Sequence, residues 1–202
     1  MENQLLKFGK CIIDRETKFI GADIYRITDE NGNTIGSAKK GVIRDLNDKA
    51  VGKIKKKGLA LSPTWTIHDS SGKPVGAMKK KRTALKLTYV VESPSGDLIT
   101  SIKGEDNGYQ FYAPDEKTLL ASFVWETAER EEAKKGGLRG FIKKAAEAAK
   151  AALKGKRVLQ LHSEQLRPLL ALSSAIQLME IEREEERKRE GGEYEGGGDD
   201  GD

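Results

Sequence analysis

Tyr25-Arg26-Ile27-Thr28-Asp29 runs into Glu30-Asn31-Gly32-Asn33 and then Thr34-Ile35-Gly36-Ser37-Ala38-Lys39-Lys40. Further along, Trp65-Thr66-Ile67-His68-Asp69 runs into Ser70-Ser71-Gly72-Lys73 and then Pro74-Val75-Gly76-Ala77-Met78-Lys79-Lys80. Gly32 aligns with Gly72, Gly36 with Gly76, and Lys39-Lys40 with Lys79-Lys80. Each unit reads as a β-hairpin. Its first half alternates with period 2, placing Tyr25 and Ile27 on one face. Asn-Gly and Ser-Gly supply the positive φ of a tight turn. The second half returns as a strand with a basic end.

Looser copies surround the two clear ones. Leu5 to Ile13 is expected to turn at Asp14 to Thr17 and return as Lys18 to Ile27. Val42 to Leu46 turns at Asn47-Asp48 into Ala50 to Lys57. Leu87 to Glu92 turns at Ser93-Pro94-Ser95-Gly96 into Asp97 to Lys103. Tyr109 to Tyr112 turns at Ala113-Pro114-Asp115-Glu116 into Thr118 to Trp125, and Arg157 to His162 fits one last strand. Such a meander of about a dozen short strands predicts an antiparallel barrel or sandwich, and closure is the usual way to remove its edges. A barrel that wide is not filled by its own side chains, so it needs a plug.

The last third of the sequence changes character. Glu126 to Lys135 is charged and helix-prone, and Leu138 to Leu153 spaces its apolar residues as an amphipathic helix. Ser163 is read as an N-cap opening a helix from Glu164 to Arg189. Between Leu166 and Ile181 that helix is apolar on nearly every side. Its uncharged run, Pro168 to Met179, is too short for the roughly 20 residues that span a bilayer, so burial inside the barrel is expected. The expected class is therefore mainly β (α+β): a closed antiparallel barrel of about twelve strands enclosing a C-terminal apolar helix, with one additional amphipathic helix. The barrel domain is drawn at 1–182. Residues 183–202 are read as the helix end and a disordered, acidic, Gly-rich tail.

Hairpins of this type followed by a late all-apolar helix resemble the Tubby C-terminal-like superfamily, and within it LURP-one-related proteins and phospholipid scramblases. The residues that carry the resemblance are Tyr25 to Lys40, Trp65 to Lys80 and Leu169 to Met179, within a span of about 5–182. It implies a twelve-strand barrel around the helix, and for some members binding of phosphoinositides through basic residues. The sequence departs from the scramblase pattern. Lys154 to Arg167 is mostly basic or neutral, with Glu164 its one acidic residue, where scramblases carry an acidic calcium-binding segment, and Pro-rich and Cys-rich runs are absent. Calcium-triggered scrambling is thus not expected.

Charge points the same way. The 202 residues carry +4 in sum, but 1–182 carry +9 and 183–202 carry −5. The candidate phosphate- or lipid-binding residues are Lys39, Lys40, Lys55, Lys56, Lys57, Lys79, Lys80, Lys81 and Arg82. Lys143 and Lys144 join them from a basic cluster spanning Lys134 to Arg157 that contains one acidic residue, Glu147. The first three runs end alternate strands, which predicts a single basic rim, and cations near an anionic membrane each contribute about 1 kcal/mol.

Catalytic chemistry has little to stand on. Two histidines and one cysteine do not make a structural zinc site. Asp29-x-Asn31-x-Asn33 opens like an EF-hand loop, but Thr34 and Lys40 stand where that loop needs Gly and Glu. No Gly-x-Ser-x-Gly elbow or P-loop occurs. Cys11 sits in an apolar run and reads as a buried hydrophobe. The expectation is a non-enzymatic module without cofactor or metal, binding anionic phospholipid head groups at a membrane surface. The alternatives are a nucleic-acid or protein-interaction scaffold on the same basic face, or a calcium-independent scramblase-like activity. With aromatics at 6%, base stacking has few platforms. Met1 to Gln4 lacks the basic and apolar regions of a signal peptide, so a cytoplasmic protein, peripheral at the membrane, is expected.

Overall fold

The computed structural model describes residues 4–16, 22–57, 63–82, 87–125 and 156–192, with side chains of 82, 87 and 190–192 left aside. The expected helices at 126–135 and 138–153, Lys143 and Lys144, and residues 193–202 lie outside the described residues.

Twelve antiparallel strands form a closed up-and-down barrel: β1 (Lys10–Glu16), β2 (Ile24–Thr28), β3 (Thr34–Lys39), β4 (Val42–Asp45), β5 (Ala50–Lys57), β6 (Thr64–Asp69), β7 (Pro74–Arg82), β8 (Leu87–Glu92), β9 (Leu98–Glu105), β10 (Gly108–Tyr112), β11 (Leu119–Trp125) and β12 (Arg157–Leu161). Each strand pairs with its sequence neighbours, and β12 pairs with β1 to close the ring. Helix α1 (Pro168–Gly192) follows. The sequence is wrong about the first segment. Gln4–Leu6 is a 3-10 turn, and β1 begins at Lys10 and runs on through Glu16, where a turn was expected. Leu5 is fully buried in the core instead of extending the sheet.

The hairpin repeat has a geometrical meaning. In β2 and β3, Tyr25 faces Ala38 and Ile27 faces Gly36 across the ladder. In β6 and β7, Trp65 faces Met78 and Ile67 faces Gly76. Ile43 likewise faces Gly52 between β4 and β5. These residues point into the lumen, where nearly all are buried. Large residues line one strand and the next strand carries a glycine, so the wall is thinned at intervals. Leucines fill those gaps. A Cβ on Gly52 would lie 2.6 Å from Leu169 Cδ1, one on Gly76 would lie 2.9 Å from Leu170 Cδ2, and one on Gly36 would collide with Leu5. The glycines are therefore sockets for the plug.

Helix α1 is that plug. From Leu169 to Met179 every residue except Gln177 is buried, including Ser173, Ser174 and Ala175 at 0% exposure. The helix starts at Pro168, later than the sequence suggests. Pro suits the first helical position because its missing N–H would have no partner there. Arg167 O accepts the N–H groups of Leu170 and Ala171, whereas Ser163 Oγ accepts from Gln165 N at 3.2 Å and caps only the preceding bend. No helix among the described residues is long and apolar enough to cross a membrane. Cys11 lies buried in the wall, and burial pushes its thiol up to about 12.

The two ends of the barrel differ. At the end where α1 enters, five hairpins share one turn. Asp29 O accepts from Gly32 N, Asp45 O from Asp48 N, Asp69 O from Gly72 N, Ser93 O from Gly96 N, and Ala113 O from Glu116 N. The donor residue in each has positive φ, between 57° and 94°. Each of these hairpins carries a register shift beside its turn. This is a type I turn closed by a left-handed residue and a bulge. Carboxylates finish the turns. Asp29 Oδ1 accepts from Asn31 N and Asn33 N at 2.9 and 2.8 Å, and Asp69 Oδ1 accepts from Ser71 N and Lys73 N. The EF-hand-like start at Asp29 is thus a hairpin turn.

Two outcomes test this architecture. Gly52→Val and Gly76→Val should each destabilise by about 1–3 kcal/mol through overpacking, while Gly9→Ala, with open space around it, should change little in the same denaturant titration. Acid is the second test. Hydrogen bonds from Asn33, Ser71, Ser95 and the Thr118 backbone hold the carboxyls of Asp29, Asp69, Asp97 and Asp115 below their ordinary range. Their contribution is complete above the unfolded value of about 4 and fades as pH falls through the folded value. Asp29→Ala with Asp69→Ala should lower the melting temperature at neutral pH and shrink the loss seen between about pH 5 and pH 2.5.

Candidate functional site

Strand parity gathers the lysines. In an up-and-down barrel, β3, β5 and β7 run the same way, so Lys39-Lys40, Lys55-Lys56-Lys57 and Lys79 to Arg82 end at one rim, the rim through which α1 leaves. The period of two then divides them. Lys55 and Lys57 on β5, Lys79 and Lys81 on β7, and Lys39 on β3 point outward. Lys56 and Lys80 point into the mouth. Lys40 occupies the two-residue turn between β3 and β4 with φ 50°, beside Gly41 at φ 72°, a hairpin turn that needs positive φ twice. Gly41 O accepts from Ile54 N at 2.7 Å, which ties this turn to β5. Arg82 is the last residue of β7.

The outer wall carries a groove of about 330 Å³ between β4 and β6, lined by Arg44, Lys53, Lys55 and His68 around the small residues Ala50 and Gly52. Of these, sequence reasoning chose only Lys55. Arg44 is held by Asp48, its Nη1 donating to Asp48 O at 3.0 Å. His68 Nδ1 donates to Gly72 O at 2.9 Å, which assigns the tautomer and ties the ring to the β6–β7 turn. Asp69 borders the groove, but its carboxylate is engaged by its own turn. Cations therefore dominate the groove. Period-2 counting was the signal for Lys53, which shares the outward face of β5 with Lys55.

The mouth is lined differently. Arg157, which ends the basic cluster read from the sequence, is 5% exposed and stacks over Trp125 with its guanidinium 3.4 Å from the ring centre. It pairs with Glu182 of α1, which also accepts from Tyr109 Oη at 2.8 Å. Arg183 Nε lies 2.8 Å from Oδ2 of fully buried Asp23, off the N–H axis, as an ion pair rather than a directed hydrogen bond. Burial first, then the charge of Glu182, pushes the Tyr109 phenol above its ordinary range and keeps it a donor. Outside this pair of contacts, Glu184 meets Lys56 at 3.6 Å, Glu185 meets Lys80 at 3.8 Å, and Glu186 meets Arg15 at 3.6 Å. The barrel's contacts with α1 thus extend past the boundary drawn at 182. On the outer wall, Lys79 pairs with Glu92.

Among the described residues no cluster of His, Cys, Asp and Glu has the makings of a metal site. Comparison with known proteins returned no matching family model, no similar curated protein and no similar solved structure.

Glu182→Ala should destabilise by about 2 kcal/mol, because it strands the buried Arg157 guanidinium and removes the acceptor of Tyr109. Thermal unfolding of the variant beside Arg157→Met checks the cause. The double replacement should recover part of the loss, since no buried charge is then left unpaired.

Proposed function

We propose that the chain is a non-enzymatic Tubby C-terminal-like module that binds anionic phospholipid head groups at a membrane surface. The observation that carries this reading is the common end and common outward face of Lys39, Lys55, Lys57, Lys79 and Lys81. The groove lined by Arg44, Lys53 and Lys55 is the seat for one head-group phosphate, and the neighbouring lysines address the surrounding surface charge. Recognition by point charges requires no base or nucleophile. The family assignment is supported by the twelve-strand ring around an apolar helix and by the glycine-bearing repeat.

The nucleic-acid alternative has weaker support. Tyr25, Trp65, Tyr89, Tyr109, Phe111 and Phe123 are buried in the lumen, so these rings offer no platforms for bases.

Co-sedimentation with phosphatidylcholine vesicles, with and without phosphatidylserine, tests the proposal. Binding should require the anionic lipid and weaken as salt screens the contacts beyond about 8 Å. Lys53→Glu with Lys55→Glu should remove binding while the melting temperature holds. Filter binding of single-stranded DNA run in parallel identifies the alternative, and indifference to anionic vesicles at low salt sinks the lipid reading.

A further inference from the structure

Helix α1 is held in two grades. Its buried apolar contacts end at Ile181, and the close polar contacts end with Glu182 and Arg183. Glu184, Glu185 and Glu186 then make three ion pairs at 3.6–3.8 Å, beyond hydrogen-bond reach, between side chains 22–55% exposed. Pairs of this kind are weak and salt-sensitive. Their arrangement is nonetheless specific. Three successive residues of a helix point about 100° apart. Accordingly Glu184 reaches β5, Glu185 reaches β7 and Glu186 reaches β1, and one turn of helix covers the inner cations of the mouth.

The sequence provides these glutamates with substitute partners. Arg187, Lys188 and Arg189 stand three residues after Glu184, Glu185 and Glu186, a spacing that lets side chains pair along a helix. Lifting the segment from the mouth exposes no buried apolar residue, because none follows Ile181 among those described. The glutamates exchange one set of cations for another, and Arg15, Lys56 and Lys80 are set free.

Resting on the lipid-binding reading above, we propose that Arg15, Lys56 and Lys80 form a second anion site at the barrel mouth, occupied at rest by Glu186, Glu184 and Glu185 and opened when phosphate-bearing anions compete for it. The class of ligand is a phosphate monoester or diester, presented by a head group or free in solution. A carboxylate already seated at each cation shows the polarity of the intended guest.

The full chain with Glu184→Gln, Glu185→Gln and Glu186→Gln tests this. It should bind phosphatidylserine vesicles about tenfold more tightly than the parent at low salt, with its melting temperature close to the parent's. A nitroxide on Lys188→Cys should gain mobility when salt, inorganic phosphate or anionic vesicles are added, and the phosphate and vesicle arms separate the two sources of ligand. Equal vesicle affinities of parent and variant overturn the second site and leave the outer-wall reading standing, as does a label indifferent to all three additions. Binding by the variant alone supports the second site and ends the outer-wall reading, and binding by neither ends both.

Discussion

A ring of twelve strands encloses more space than its own side chains can fill, and everything else in this protein answers that constraint. The wall is shaped for an insert: isoleucines and aromatics alternate with glycines, and leucines of α1 and the N-terminal 3-10 turn enter the thinned places. The insert is shaped for the wall, apolar on nearly every side where it is enclosed and charged as soon as it reaches the mouth. Each part has an apolar surface that only the other covers. An open ring would expose a lining of tyrosines and isoleucines, and a helix with no polar face has nothing to show to solvent.

Much of the barrel was legible because two signals agreed. Period-2 patterning located β5 and β8 to the residue, and turn chemistry placed the boundaries of most others within two positions. Leu5 was misread because an apolar residue before a strand looks like part of it. Only the three-dimensional requirement to fill the socket at Gly36 turns it inward. Ser163 was misread for a related reason, since a serine before an apolar run satisfies the cap pattern whether or not the helix has begun. Pro168 marks the actual start.

The candidate site was legible in position and blurred in face. Runs of lysine at strand ends indicate a rim, but a run ignores the alternation that sends Lys55 and Lys57 outward and Lys56 inward. Arg157 was the clearest casualty. In a sequence rich in surface cations nothing distinguishes the one that stacks on Trp125 and neutralises Glu182, because both partners are remote in the chain. The acidic stretch after Arg183 likewise reads as a solvated tail until the barrel places cations around it.

The plug also comes last in chain order, after all the strands it supports, and the ring is closed by β1 pairing with β12 across most of the sequence. During synthesis the hairpins emerge and can pair with their neighbours while the residues that fill their centre are still to be made. The apolar lining has no native partner throughout that interval. Closure by contacts so distant in sequence is intrinsically slow. Such a chain depends on the fidelity of its local turns, five of them built alike and fastened by their own side chains, to hold a half-finished wall in register until the helix arrives.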